Sequence, residues 1–467
     1  MSERKRPYLL PVPLKCDTDK EINMDLVSEY IRKHEARLPR YEYLEKLYEG
    51  FHNVFKLPEK EGWKPDNRLA VNFPKYITDV FLGFVFGIPV KRVHPDDSIN
   101  EAITTFDKQN DIAEHDFEMA KKVCKYGHAF EYMYQDEETK TRLTDCTPKE
   151  VFVVYENTLR KAAYFAVRYG VTDDGSTKYG EIMTRETIQE FYGSELREER
   201  PNPYGKIPVV EWLMNEERMS LYEEIAGMTE TINKTIGEKA NDVDSFAEAY
   251  LAIMGAELDE EGIMRIRDNR IINLYGTDNA KDILVQFLQK PTADDTQENL
   301  LDRLEKWIHK ISMVCDINSE SFGNASGVAL EYKLHPMRSL AGNMIQKALK
   351  SMRKRYKLFC TLSTNVPNKD AWRELEQNAT LNLPKNKLEE AQTASALDGI
   401  VSKETQLKVL SIVDNVQDEI DKMEKEAEAE SKKQEEVVEN MMFGNQNPNN
   451  NPNRNTNGQQ EVVTNEQ

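Results

Sequence analysis

The sequence predicts a mainly helical α+β fold, and three observations carry that reading. Apolar residues recur at helical spacing through long stretches on both sides of the chain's middle. A β-rich block occupies 143–192, and a short mixed module at 248–292 is inserted between two long helices. With 467 residues the chain is long enough for two or three domains.

In chain order, the first helical stretch is expected at 20–51, with Asp17, Thr18 or Asp19 as N-cap and a break at Pro39. Leu26, Val27, Tyr30, Ile31, Leu44, Leu47 and Tyr48 form its apolar side, and Gly50 ends it. NRLAVNFPKYITDVFLGFVFGIPV at 67–90 starts extended and continues as a helix that stops at Gly87 and Pro89. Helices follow at 98–110 and 113–126, the second closed by Gly127, and 129–134 reads as a strand. VFVVYE at 151–156, AAYFAVRYG at 162–170, then KYGEIMT and IQEFYG, read as meandering antiparallel strands. GKIPVVEW at 205–212 brings the chain back to a helix at 216–247, striped by Leu221, Ile225, Met228, Ile232 and Ile236.

In the inserted module LAIMG, RIINLYG and DILVQFL are strand candidates, with a helix at 259–267 and Pro291 at the end. Such an excursion suits either a reach beyond the main body or an ordinary lobe. Leu300, Leu301, Leu304, Trp307, Ile308, Ile311, Val314 and Cys315 then mark an amphipathic helix at 296–315. Asn318, Ser319, Gly323, Asn324, Ser326 and Gly327 favour turns, so 316–326 is expected to be a mobile loop. A second long helix at 328–360 buries Leu330, Leu334, Met337, Leu340, Ala341, Met344, Ile345, Leu349, Met352 and Tyr356, with a kink expected at Pro336. LNLPKN gives an extended turn, and helices follow at 388–397, 403–412, capped by Ser402, and 416–439. The last is almost wholly charged over 421–436, and the Asn- and Gln-rich stretch at 444–467 cannot bury enough surface to order itself.

An excess of 82 acidic over 62 basic residues, a formal charge of −20, argues against a protein that grips nucleic acid through a broad basic face. It leaves room for DNA that slides past, since an acidic wall repels a phosphate backbone. Five scattered cysteines without a CxxC pair read as reduced thiols. Cys124 and His128 are four apart, but two ligands close no zinc site, so no metal is assigned. The basic, Pro-interrupted start does not read as a signal peptide, and the apolar run at 80–90 is too short to cross a bilayer.

Catalytic signatures are missing. There is no GxxxxGK[ST], and GNASG lacks both the lysine and a preceding strand. Neither HExxH nor GxSxG occurs, and acidic pairs such as Asp96 with Asp97 or Asp294 with Asp295 suit turns and helix starts. His128 and His309 read as structural, and no cofactor is expected. One basic cluster stands out: Lys347, Lys350, Arg353, Lys354, Arg355 and Lys357 crowd the C-terminal end of the helix after the loop, opposing its dipole. Helix capping and neighbour salt bridges account for it, or else phosphate contact by Lys347, Lys350, Arg353 and Lys354.

Five segments in order resemble the portal proteins of tailed bacteriophages, specifically the SPP1-like portal family. They are the 67–90 segment, KYGHAFEY at 125–132, YGKIPVVEW at 204–212, SFGNASGVALEYKL at 321–334, and 383–426 from LPKNKLEEAQ to DKMEKE. The resemblance spans about 41–426 and implies a portal fold with wing, stem, clip and crown regions, closing into a ring of about twelve subunits. Carried onto this chain, 1–215 is wing, 216–247 and 293–315 are stem helices, and 248–292 is clip. The tunnel loop is 316–326, the long kinked helix and return to the wing 327–384, the crown 385–440, and the disordered tail 441–467.

The resemblance further implies a non-enzymatic virion protein at one capsid vertex, assembled in the bacterial cytoplasm, through which double-stranded DNA enters and leaves. Hydrolysis would belong to a separate terminase whose large subunit docks on the clip, where Arg265, Arg270, Asp278 and Asp282 are the candidates. The other expected partners are a head-completion adaptor and the major capsid and scaffolding proteins, with no membrane. Asn318, Ser319, Glu320, Gly323, Asn324 and Ser326 would face DNA, making weak, exchangeable contacts as a compliant collar. Another ring-forming head-to-tail connector or adaptor is the alternative, although such proteins are usually much shorter. A DNA-processing enzyme would need a metal-binding constellation that the sequence does not offer.

Overall fold

The computed structural model describes residues 12–61, 64–246, 250–254, 284–288, 294–318, 327–383, 387–410, 412–413 and 416–443. It is a mixed α/β chain that divides into two compact units, Met1–Asn382 and Leu383–Gln467.

In the first unit, strand β1 (Leu14–Cys16) leads into α1 (Met24–Glu35) and α2 (Leu38–Glu49). The cap of α1 is Asn23, whose side-chain oxygen accepts the Leu26 N–H at 3.0 Å, and not Asp17, Thr18 or Asp19. Residues 14–16 are claimed by a strand, which pushes the helix start downstream. Pro39 sits in the first turn of α2, where its missing N–H costs nothing, so the expected break is a boundary between two helices. Gly50 closes α2 at φ +91°. Helix α3 (Phe73–Phe86) is capped by Asn72 and followed by β2 (Lys91–Val93), α4 (Asp97–Gln109) capped by Asp96, and α5 (Ile112–Tyr126).

The strands then run β3 (His128–Gln135), β4 (Thr141–Cys146), β5 (Val151–Glu156), β6 (Ala163–Val171), β7 (Lys178–Met183), β8 (Thr187–Tyr192), β9 (Glu195–Pro201) and β10 (Val209–Leu213). The expected meander is present as an antiparallel run from β5 to β9, extended at one edge by β1, which pairs parallel to β5. A second sheet has the order β10-β3-β4. Alternation along β5 explains the layering. Phe152 and Val154 join Leu26, Val27, Tyr30 and Ile31 of α1 on one face, while Val151 and Val153 join Phe130, Tyr132 and Val209 on the other. This strand is therefore apolar on both sides, which is why VFVVYE reads as a continuous run.

The helix expected from 216 starts ten residues later, as α6 (Ala226–Phe246). Residues 214–225 instead make turns: Arg218 has φ +57°, and its guanidinium reaches back to Glu211. Leu221, expected on the helical stripe, is buried from this turn region, with its N–H on the Cys124 carbonyl at 3.0 Å. Gly127 is boxed in by the same turn; a Cβ there would lie 2.0 Å from the Arg218 carbonyl.

Strands β11 (Tyr250–Met254) and β12 (Leu284–Leu288) pair antiparallel within the expected module; its RIINLYG strand and 259–267 helix lie outside the described residues. Next come α7 (Asp294–Ser312), which packs on α6, and α8 (Gly327–Phe359), with Pro336 inside it. Strand β13 (Glu376–Asn378) pairs with β2. The second unit contains α9 (Lys387–Ala396), α10 (Lys403–Leu407) and α11 (Val416–Phe443). Ser402 caps α10 as expected, accepting the Thr405 N–H at 3.3 Å, although that helix is shorter than the sequence pattern suggested. No described helix is long and apolar enough to cross a membrane.

Candidate functional site: the loop base and the helix behind it

The loop that joins α7 to α8 begins inside the described chain. Helix α7 stops at Ser312 because Met313 adopts φ +59°, which ends it before the expected residue 315. Val314 turns inward and is fully buried, and the Cys315 thiol donates to the Lys333 carbonyl at 3.0 Å, tying the loop base to the first turns of α8. Asn318 is exposed; its amide donates to the Tyr76 hydroxyl at 3.1 Å, linking the loop to the first turn of α3. The other sequence-expected loop residues, Ser319, Glu320, Gly323, Asn324 and Ser326, lie outside the described residues, as do Arg265, Arg270, Asp278 and Asp282.

The basic cluster at the end of α8 separates into two populations. Lys350 and Arg353 are exposed, and Lys347 pairs with Glu216. Lys354 keeps an exposed portion, yet surrounding protein displaces enough water to lower its pKa, with Lys350 and Arg218 adding repulsion. Lys357 lies 4.9 Å from the centre of the Trp372 ring.

Arg355 belongs to the other population and is fully buried. Its Nε lies 3.0 and 2.9 Å from the two oxygens of Glu131 on β3, and its Nη2 bonds Glu131 and lies 2.8 Å from Asp116 of α5. Asp116 also takes the Arg92 guanidinium, and His115 Nε2 lies 3.0 Å from Glu131. Tyr356, one residue on, donates to Asp107 at 2.6 Å. Burial, the largest single influence, would raise Glu131, but Arg355 and His115 together outweigh it and hold the carboxyl at about 2.

A second buried set lies beside it. Glu211 on β10 accepts both arms of Arg218, at 2.7 and 2.8 Å, together with His128 at 2.8 Å and the Tyr155 hydroxyl. Burial lowers His128, so the neutral ring donates from Nδ1 to Glu211 and accepts the Tyr41 hydroxyl on Nε2 at 2.8 Å. Ser351 of α8 donates to the Glu211 carbonyl at 2.9 Å. These groups are paired inward and offer nothing to a substrate; their chemistry is to clamp the C-terminal half of α8 onto the sheets.

Sequence reading placed Arg355 in the basic cluster at the helix end without separating its environment from that of its neighbours. The signal that separates it is positional: Ala348, Ser351, Met352, Tyr356 and Phe359 are buried, and position 355 falls on that same face. Nothing local marks Glu131 or Asp116 as its partners, because they come from two other elements, β3 and α5.

The family model described as "Phage portal protein, SPP1 Gp6-like" matches residues 27–433. The chain belongs to this portal family. The portal protein of Bacillus phage SPP1 is 23% identical over 399 residues, covering 78% of this chain and 76% of the relative. The portal protein of Clostridium phage phiCD119 is 21% identical over 380 residues, covering 76% and 83%. A solved structure titled "Neck of empty GTA particle computed with C6 symmetry" aligns at a TM-score of 0.41 and 11% identity, over 72% of this chain and 90% of that one. The family shown by the model match is the one the sequence resemblance implied. The inward-paired charges hold the fold together, and Lys350 and Arg353 lie exposed on the same helix.

Proposed function

We propose that the chain is one subunit of a ring of about twelve at a single capsid vertex of a tailed phage, forming the channel for double-stranded DNA during packaging and ejection. The observation that carries this reading is the order of elements around the inserted module. Helices α6 and α7 pack on one another, joined by the Lys239–Glu298 ion pair, and between them the chain runs out and returns through the β11–β12 pair. That is the arrangement expected of a stem with a clip beyond it.

On this reading 316–326 is the tunnel loop, α8 the strut behind it, and 385–440 the crown. Asn318, Ser319, Glu320, Gly323, Asn324 and Ser326 face DNA, while Lys350 and Arg353 lead a phosphate-contact set that includes Lys347 and Lys354. Arg265, Arg270, Asp278 and Asp282 take part in docking the terminase large subunit. A head-completion adaptor and the capsid and scaffolding proteins complete the partners, and the subunit itself performs no catalysis. The loop chemistry suits sliding, because neutral amides and hydroxyls make exchangeable phosphate contacts where lysines would hold.

Electron microscopy of the purified full chain, with light-scattering mass in parallel, tests the assembly. Rings with an axial hole wide enough for the roughly 20 Å duplex are expected; a chain that stays monomeric or dimeric at every salt concentration removes the reading. Lysines at both Asn324 and Ser326 should impair packaging in vivo while leaving rings intact, and unaffected packaging counts against the loop's role.

A further inference from the structure

We propose that Glu305, His309 and Asp316 hold a divalent cation of the zinc class at the base of the loop after α7. Glu305 and His309 are one turn apart on α7 and so share a face. Asp316 is brought to the same place by the chain reversal at Met313, and one ligand atom from each of the three lies within 4.8 Å of the others.

The histidine is oriented as a ligand requires. His309 Nδ1 lies 3.0 Å from the Val314 carbonyl, which can only accept, so Nδ1 carries a proton and Nε2 would be the nitrogen that meets a metal. A metal-binding imidazole is commonly fixed by such a bond from its other nitrogen to a backbone carbonyl. Phe73 and Tyr76 stand edge-on to the ring, with centroids 6.3 and 6.2 Å away, and limit its rotation. The Asn318 N–H, 3.0 Å from Asp316 Oδ1, orients that carboxylate as well.

One nitrogen and two oxygens suit Zn²⁺ or a neighbouring first-row ion, bound at about 2.0–2.2 Å. Glu305 is exposed and leaves the remaining positions to water. A bound ion would tie the last turn of α7 to the first residues after it and so set where the loop begins. Residue spacing hides the site, because Asp316 reaches it only through the turn. The inference concerns the single chain and stands apart from the ring.

The test uses the full chain, stripped by chelator dialysis and titrated with Co²⁺ as a spectroscopic probe, then with Zn²⁺ in competition. Wild type should show Co²⁺ d–d absorption saturating at one equivalent per chain and bleached by equimolar Zn²⁺. Glu305→Gln and Asp316→Asn should each weaken uptake by about tenfold or more, with far-ultraviolet circular dichroism unchanged. Uptake unaltered in both variants, a thiolate charge-transfer band that puts the ion on cysteine, or no uptake by wild type at micromolar metal would each overturn the proposal.

Discussion

Helices α7 and α8 follow one another in the chain and invert the usual distribution of residue types. The C-terminal half of α8 carries a guanidinium, that of Arg355, into the centre of the first unit and matches it with carboxylates from α5 and β3. Helix α7 does the opposite. Leu304 and Ile308 are buried, but Leu300, Trp307 and Ile311 remain exposed at 41%, 47% and 42%. One helix is completed within its own chain; the other leaves apolar surface that the described residues do not cover. Single-chain stability should therefore concentrate around Arg355, and sensitivity of assembly around Trp307.

The largest effect is expected at the buried guanidinium. Arg355→Met leaves Glu131 and Asp116 in the interior without their shared cation and should cost about 3–5 kcal/mol, read as a lower urea midpoint. Lys350→Met, on the exposed side of the same helix, should stay within about 0.5 kcal/mol. Equal losses in the two variants would erase the distinction between the faces of α8.

Acid should destabilise the first unit in two stages. His34, buried between α1 and the six-stranded sheet, donates from Nε2 to the Pro148 carbonyl at 2.7 Å and accepts the Tyr169 hydroxyl on Nδ1 at 2.8 Å. Burial lowers its pKa from 6.5 to about 4. Because the unfolded chain takes up that proton first, stability is complete above pH 6.5 and falls by about 3 kcal/mol as pH drops to 4. Glu131, lowered from 4.5 to about 2, adds a second loss of similar size between those values. His34→Gln should reduce the first stage without abolishing it, since burial lowers His128 too; an unchanged slope in urea midpoints against pH would remove His34 from the account.

How far these features were legible depends on how local their causes are. Gly50, Gly127 and Ser402 act within one turn of themselves, and the boundaries they set are readable from the sequence. The meander of strands from 151 onward was likewise readable, whereas its two covered faces are visible only in the fold. The start of α6 was not readable, because the 214–225 turns are held by the Arg218–Glu211 pair and by the Cys124 carbonyl of α5, about a hundred residues away in sequence. β1 escaped for a related reason: three residues carry no period, and only the open edge of β5 makes LKC a strand. At the candidate site the loop base was legible as loop, while the charged partners of α8 and the approach of Asp316 to His309 required the fold.

The smallest effect on folding, and the sharpest on the comparison, is expected at Trp307. Its ring is half exposed on the same side of α7 as Leu300 and Ile311, so Trp307→Glu removes little buried apolar area and should shift the urea midpoint by no more than about 0.5 kcal/mol. If that stripe is covered by a neighbouring subunit in the proposed ring, the introduced carboxylate must be desolvated there against an apolar surface, a cost of several kcal/mol repeated at each contact. Rings should then give way to smaller species by light scattering, with secondary structure intact. Full-sized rings from Trp307→Glu would mean that α7 keeps its apolar side in solvent, and the contrast with α8 would be one of local packing alone.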